Sequence, residues 1–265
     1  MINAKINAKK QFGQNFITDE ALLAELVDGA DLPADARVLE IGAGMGSLTR
    51  ALARCAERVT AVEIDRDLER VLRKNVSEFD NVNLVIGDAM KLSWNELNAN
   101  CLAANLPYYI TSQILSRALQ TVPAFRIIAV MVQREVADKL AAAPREEGYG
   151  PLSVWARGVY DISVAAYLPP SAFTPPPNVD SAFVVLRKKG EPIFAQDDYA
   201  NLERVISAAF AQRRKTIANN MKRIGITKDM LEGAGISALA RAEELDADAF
   251  VKLANIRDMT YTNDN

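Results

Sequence analysis

The sequence predicts an α/β chain: a doubly wound, mainly parallel sheet followed by a small C-terminal all-helical domain. Three observations carry this. Five short apolar runs between residues 37 and 133 alternate with stretches of helical period, the pattern of repeated βαβ units. These runs are apolar throughout, as strands covered on both faces require. Beyond residue 188 only the helical period remains.

The first strand is RVLEIGA (37–43), and a helix follows over about 47–55. RVTAVEI (58–64) is the second strand, with a charged helix over 67–76. VNLVIGD (82–88), CLAANLP (101–107) and RIIAVMV (126–132) are strands three to five, with a helix over 111–120 between the last two. Residues 134–143 and 152–160 read as helices around the loop PREEGYGP. DISVAAYL (161–168) and SAFVVLRK (181–188) read as a final strand pair. The proline-rich stretch between them must be a loop, because proline cannot donate to a sheet ladder. A linker (188–198) leads to a helix with the stripe Leu202, Val205, Ile206, Ala209 and Phe210, capped by Asp197 or Asp198. Asp246 caps a later helix with the stripe Ala249, Phe250, Leu253 and Ala254. The expected division is a catalytic domain over 1–188 and a helical domain over 189–265.

Composition narrows the chemistry. The 265 residues include no histidine, which excludes a histidine base and a histidine metal site. Cys55 and Cys101 stand far apart and form no CxxC pair, so no metal is expected. No apolar run reaches the length of about 20 residues that a membrane helix needs. Residues 1–16 lack the apolar segment of a secretory signal, so the expected compartment is the cytoplasm. The formal charge of −3 does not by itself suggest a nucleic-acid partner.

The end of the first strand, Glu40-Ile41-Gly42-Ala43-Gly44-Met45-Gly46, has GxGxG spacing where a dinucleotide site wants GxGxxG. Alone it is equally a tight strand-to-helix turn. Glu63 ends the second strand, where a carboxylate can accept from ribose hydroxyls. Asp88 ends the third, where it can accept from an adenine amino group. Polar groups at three consecutive carboxyl ends lie on the edge where open α/β sheets bind ligands. With no P-loop lysine, the ligand suggested is an adenosine without pyrophosphate, and S-adenosylmethionine (SAM) fits.

The fourth strand ends in Asn105-Leu106-Pro107-Tyr108. An adenine amino nitrogen is a poor nucleophile because its lone pair is delocalised into the ring. The Asn105 oxygen and a backbone carbonyl beside Pro107 can accept its two hydrogens and favour a pyramidal nitrogen. Tyr108 can stack on the base. No strong base is needed, since positioning supplies most of the catalysis.

Asn105-Leu106-Pro107-Tyr108 resembles the motif of SAM-dependent amino methyltransferases. KKQFGQNFITD (9–19), GYGPLSV (148–154), PPSAFTPPPNVDSA (169–182) and AFAQRRKTIANNM (209–221) resemble the KsgA-type ribosomal RNA adenine-N6 dimethyltransferases. The resemblance implies a Rossmann-like methyltransferase sheet. It implies transfer of methyl groups from SAM to N6 of two adjacent adenosines near the 3′ end of small-subunit (16S) rRNA. The substrate would be an immature 30S-type particle, met by a monomer with a role in small-subunit biogenesis. It implies Asn15, Ile17, Gly42, Gly44, Glu63, Asp88, Ala89 and Asn105 as cofactor-binding positions. It implies Asn105, Leu106, Pro107 and Tyr108 as the catalytic motif, with Phe173 sandwiching the base opposite Tyr108. Tyr109 departs from the asparagine of many relatives, and would point the other way if the chain is extended. Ile17 stands for the more usual leucine.

Charge is unevenly spread. Residues 204–223 hold Arg204, Arg213, Arg214, Lys215, Lys222 and Arg223 and no acid. The Arg213-Arg214-Lys215 run is expected to begin a helix and track phosphates. Lys5, Lys9 and Lys10 form a second basic segment. Such runs are equally often only a solvated face; the resemblance assigns Lys9, Lys10, Arg213, Arg214, Lys215, Lys222 and Arg223 to RNA binding. Two other readings stand beside the first: a large-subunit rRNA adenine methyltransferase of the macrolide-resistance type, and a non-catalytic assembly factor on the same fold.

Overall fold

A computed structural model describes residues 14–121 and 124–256. Its seven strands are β1 (Arg37–Ile41), β2 (Arg58–Glu63), β3 (Val82–Ile86), β4 (Cys101–Asn105), β5 (Ile127–Gln133), β6 (Tyr160–Leu168) and β7 (Ser181–Lys188). They form one sheet in the order β3-β2-β1-β4-β5-β7-β6. β1 to β5 pair in parallel, and β7 runs antiparallel to β5. The order reverses between β1 and β4, so the crevice at their carboxyl ends is the topological switch point of the sheet. β1, β4 and β5 are buried almost throughout. β6 instead alternates exposed and partly buried positions, as an edge strand does. Each expected strand forms, and the first four end about two residues early, because their last residues leave the sheet to form the crevice.

Helices α1 (Glu20–Gly29), α2 (Ser47–Ala53), α3 (Glu69–Asn75) and α4 (Thr111–Leu119) belong to this part of the chain. The sequence reading assigns nothing to 20–29, yet the signals for α1 are ordinary. Asp19 accepts from the backbone N–H groups of Ala21 and Leu22, and Leu23, Leu26 and Val27 form the buried stripe. Such a cap contributes about 1 kcal/mol.

The chain divides into two compact units. One comprises Met1–Ala137 and Ile162–Arg187; the other comprises Asp138–Asp161 and Lys188–Asn265. The expected boundary at 188 falls on one of these crossings, while the excursion over Asp138–Asp161 has no counterpart in the sequence reading. α5 (Arg134–Ala141) runs through the first crossing, and α6 (Pro151–Val159), α7 (Tyr199–Ala209), α8 (Ile217–Met221), α9 (Lys228–Gly233) and α10 (Ala247–Asn255) belong to the second unit. That unit has its own aromatic core. Trp155 meets Phe194 and Tyr199 edge-on, and Phe210 stacks on Phe250 at 5.9 Å. Gly158 lies so close to Phe194 that an added Cβ would stand 2.3 Å from the ring. In α10, Asp246 accepts from Ala249 N, the cap expected from the sequence.

Arg213, Arg214 and Lys215 do not begin a helix. They lie in the turn between α7 and α8. The fully buried Asn220 donates from Nδ2 to the carbonyl oxygens of Ala209 and Gln212, which ends α7 and holds the turn. Lys215 N closes it on Gln212 O at 2.9 Å.

Candidate functional site

A cavity of about 750 Å³, open mouth included, lies at the carboxyl ends of β1 to β4. Each wall comes from a strand end. β1 gives Gly42 and Gly44, β2 gives Glu63 and Ile64, β3 gives Asp88, Ala89 and Met90, and β4 gives Asn105 to Ile110. Gln14, Asn15 and Phe16 close one side.

The glycine turn needs its glycines. Gly44 has φ +59°, and an added Cβ would stand 2.9 Å from the Phe16 ring. Its N–H donates to Glu63 Oε2 at 2.7 Å, so the loop after β1 is tied to the end of β2. Glu63 Oε1 accepts from Asp65 N at 2.8 Å. Both oxygens are therefore aimed by main-chain donors, and each keeps a lone pair for a further donor. Burial pushes the Glu63 carboxyl upward, opposed by the Asp65 and Gly44 N–H groups. Deeper in β1, Glu40 is wholly buried, and neither of its oxygens has a hydrogen-bond partner among the described residues. Burial pushes its carboxyl up to about 8, opposed by the Thr49 hydroxyl and aided by the charge of Glu63.

Asp88 uses Oδ1 to accept from Met90 N at 2.9 Å, starting a short turn over Ala89–Lys91. Oδ2 carries no hydrogen bond among the described residues. This turn has a clamp that sequence reasoning missed. Arg117 of α4 donates to the carbonyl oxygens of Ala89, Met90 and Leu92, and its guanidinium lies over the Trp94 ring at 4.2 Å. Trp94 Nε1 donates to Ala89 O as well. Partial burial pulls the Arg117 guanidinium downward, opposed by the charge of Asp88.

Asn105 donates from Nδ2 to Asn15 O at 2.7 Å. A carbonyl can only accept, so this bond fixes the amide orientation and leaves Oδ1 as the acceptor. Leu106 is 1% exposed, so only its backbone can serve a ligand. The Pro107 carbonyl is already taken by Ile110 N and Thr111 Oγ1. Beside Pro107, the Leu106 carbonyl accepts nothing among the described residues, and neither does that of Tyr108. Tyr108 shares a 2.8 Å hydrogen bond with Ser181 Oγ at the start of β7. Ser181 is completely buried, and its role was not visible in sequence because 73 residues separate the pair.

The structure thus brings Asn15, Gly42, Gly44, Glu63, Asp88, Ala89, Asn105, Leu106, Pro107 and Tyr108 to one cavity. It does not bring Ile17 or Phe173 there. Ile17 is 5% exposed and lines a smaller crevice with Phe16, Leu23 and Gly44. Phe173 is 3% exposed and sits in the apolar core cluster with Leu168 and Phe183. Its loop is held inward because Phe16 and Thr174 exchange main-chain hydrogen bonds of 2.9 and 2.8 Å. Tyr109 corrects a further expectation. The 107–110 segment is a turn rather than extended chain, so Tyr109 lines the same cavity as Tyr108. Lys9 and Lys10 lie outside the described residues. Arg213, Arg214, Lys215, Lys222 and Arg223 are all exposed and form no ion pair among the described residues.

These acceptors and the open loop backbone fit an adenosine cofactor. An unbonded Asp88 oxygen suits an amino group, two aimed carboxylate oxygens suit a diol, and backbone at Gly42 and Gly44 admits close approach. Among the described residues no group of histidine, cysteine and carboxylate side chains is placed to hold a metal, and no helix is long and apolar enough to cross a membrane.

Comparison with known proteins agrees with this geometry. The family model described as ribosomal RNA adenine dimethylase matches residues 5–258. A protein of Clostridium acetobutylicum named ribosomal RNA small subunit methyltransferase A is 37% identical over 93% of this chain and 92% of its own. One of the same name from Staphylococcus aureus is 40% identical, covering 93% and 89%. Among solved structures, a dimethyladenosine transferase from Plasmodium falciparum is similar with a TM-score of 0.77 at 24% identity, covering 90% of this chain and 95% of that one. The 23S rRNA methyltransferase ErmE is similar with a TM-score of 0.67 at 27% identity, covering 92% and 100%.

Proposed function

This chain belongs to the ribosomal RNA adenine dimethylase family, and from that premise we propose how its residues divide the work. The chain is a SAM-dependent rRNA adenine-N6 dimethyltransferase of the small-subunit type. Its substrate adenosines are two neighbours near the 3′ end of 16S rRNA, and its natural substrate is an immature small-subunit particle in the cytoplasm. It acts as a monomer. The observation that carries the assignment is the fixed Asn105 amide in a cavity it shares with Glu63 and Asp88.

SAM, when bound, supplies a methyl group on a sulfonium centre. Glu63 accepts from the ribose hydroxyls, and Asp88 Oδ2 accepts from the adenine amino group. Ala89, clamped through its carbonyl by Trp94 and Arg117, presents its backbone N–H to the same ring. Asn15, Gly42 and Gly44 line the remainder. At the target base, Asn105 Oδ1 and the Leu106 carbonyl accept the two N6 hydrogens and turn the nitrogen lone pair outward. Tyr108, anchored through Ser181, stacks on the base. Water takes the proton released from nitrogen, so no titrating side chain is required, in keeping with a chain that has no histidine. Phe173 is a second stacking partner once the 173–175 loop opens. The α/β unit carries this chemistry, and Arg213, Arg214, Lys215, Lys222 and Arg223 of the helical unit hold the RNA backbone; Lys9 and Lys10 are further RNA-binding residues.

The test incubates the protein with methyl-labelled SAM and separated ribosomal subunits from cells lacking the modification. Label is expected in small-subunit RNA, and mass spectrometry is expected to find two adjacent N6-dimethyladenosines. Label in large-subunit RNA alone overturns the assignment.

A further inference from the structure

Tyr109 is unused by the reading above, yet it is the most exposed of the cavity's aromatic residues. Among the described residues, five large apolar side chains are exposed, and two of them, Ile64 at 43% and Tyr109 at 54%, line this one cavity. An aromatic ring half in water at the mouth of a pocket has a face to cover. The turn at 107–110 determines which end of the pocket it serves. Ile110 N and Thr111 Oγ1 both close on Pro107 O, so the chain reverses directly after Pro107. Tyr108 is thereby drawn to Ser181 at the start of β7. Tyr109 instead lines the cavity together with Glu63 and Asp88, which stand at the ends of β2 and β3 on the other side of the switch point; burial, aided by the charges of Asp88 and Glu63, pushes its phenol upward. Met90 and Ile110 line the cavity with it.

We infer that Tyr109 is a further cofactor-binding residue, whose ring covers the adenine of SAM across from Ile64. Two adjacent tyrosines then serve two different adenines: Tyr108 the substrate base and Tyr109 the cofactor. The chemistry at that end of the cavity supports this occupant over an RNA base. Ile64 and Tyr109 give this cavity an aliphatic and an aromatic lining, which suits a flat heterocycle. The carboxylates of Glu63 and Asp88 at the same end select one that carries a diol and an amino group, and they repel a phosphate backbone. This inference rests on the cofactor assignment made above.

Calorimetric titration of S-adenosylhomocysteine and SAM into the full chain without RNA tests it, using the wild type, Tyr109→Phe, Tyr109→Asn and Tyr109→Ala. Phe keeps the ring, and its affinity is expected within about twofold of wild type. Ala and Asn remove it, and both are expected to weaken binding by about 5- to 20-fold, the low end for loss of a base-stacking ring because this one is half exposed. The kinetic loss is expected in KM for SAM rather than in kcat. Melting of the ligand-free variants confirms folding, which substitution of a half-exposed side chain should spare. Unchanged affinity in folded Tyr109→Ala overturns the inference. So does a loss confined to KM for the RNA, which would make Tyr109 an RNA contact. A wild type that binds neither SAM nor S-adenosylhomocysteine would instead overturn the cofactor assignment itself.

Discussion

The hydrogen bond between Tyr108 and Ser181 joins the catalytic turn to β7, and its removal from either end has unequal consequences. Ser181→Ala leaves the Tyr108 hydroxyl without its partner, but Tyr108 is only half-buried and water can replace the lost bond. The cost is then that of a typical neutral hydrogen bond, about 1 kcal/mol. Tyr108→Phe leaves the Ser181 hydroxyl orphaned in a position with no exposure at all. An unsatisfied buried polar group costs about 1–3 kcal/mol, so this variant should be the less stable of the two. The double variant removes both groups and should recover part of that cost, giving a coupling energy of about 0.5–1.5 kcal/mol. For catalysis, loosening the ring by about 1 kcal/mol in the transition state lowers kcat by about fivefold. Urea unfolding of the three variants and single-turnover methyl transfer measure the two effects, and S-adenosylhomocysteine affinity should hold in all of them. Strictly additive stabilities, or a loss of cofactor affinity in Ser181→Ala, would refute the idea that this bond positions the ring for the substrate base.

Three further outcomes follow from the geometry. Arg117→Leu removes three donors from the 89–92 turn and uncovers Trp94, so SAM affinity should fall about tenfold, read by calorimetry, with stability lowered by about 2 kcal/mol; an unchanged affinity would show the turn to be self-supporting. Glu40 binds its proton more tightly folded than unfolded, so stability should fall as pH rises from about 4.5 towards about 8 and then level off, and Glu40→Gln should flatten that slope, measured by urea unfolding across the range. Replacing Arg213, Arg214 and Lys215 together by Ala should reduce the salt slope of RNA binding by about 2, at about 0.7 per phosphate contact on single-stranded RNA, and a filter-binding salt series that kept its slope would remove this turn from the interface.

The middle of the sheet was legible because β1, β4 and β5 are buried on both faces, which makes each a nearly uninterrupted apolar run in sequence. The site was legible where chemistry sits at strand ends: Gly42, Glu63, Asp88 and Asn105 are each within a residue or two of the last paired residue. What stayed hidden depends on long-range closure. Arg117 meets the Ala89 carbonyl 28 residues away, and Asn220 bends back over Ala209, and neither is marked by any local pattern. The basic turn reads as a helix start in sequence because its composition allows one. The buried Asn220 amide decides otherwise. Side-chain alternation points Tyr109 away from Tyr108, but it stops at the end of β4, where a turn carries Tyr109 into the same cavity.

The reciprocal bonds between Phe16 and Thr174 have a thermodynamic consequence. They run on through Asn15 to the Asn105 side chain, so the cofactor-facing segment and the proline-rich loop share one set of main-chain contacts. A ligand that tightens 14–16 therefore opposes the opening of 173–175, and by linkage a ligand that needs the loop open weakens the hold on 14–16 by the same free energy. On the proposed reading, cofactor and substrate base would then oppose each other through two hydrogen bonds of the backbone.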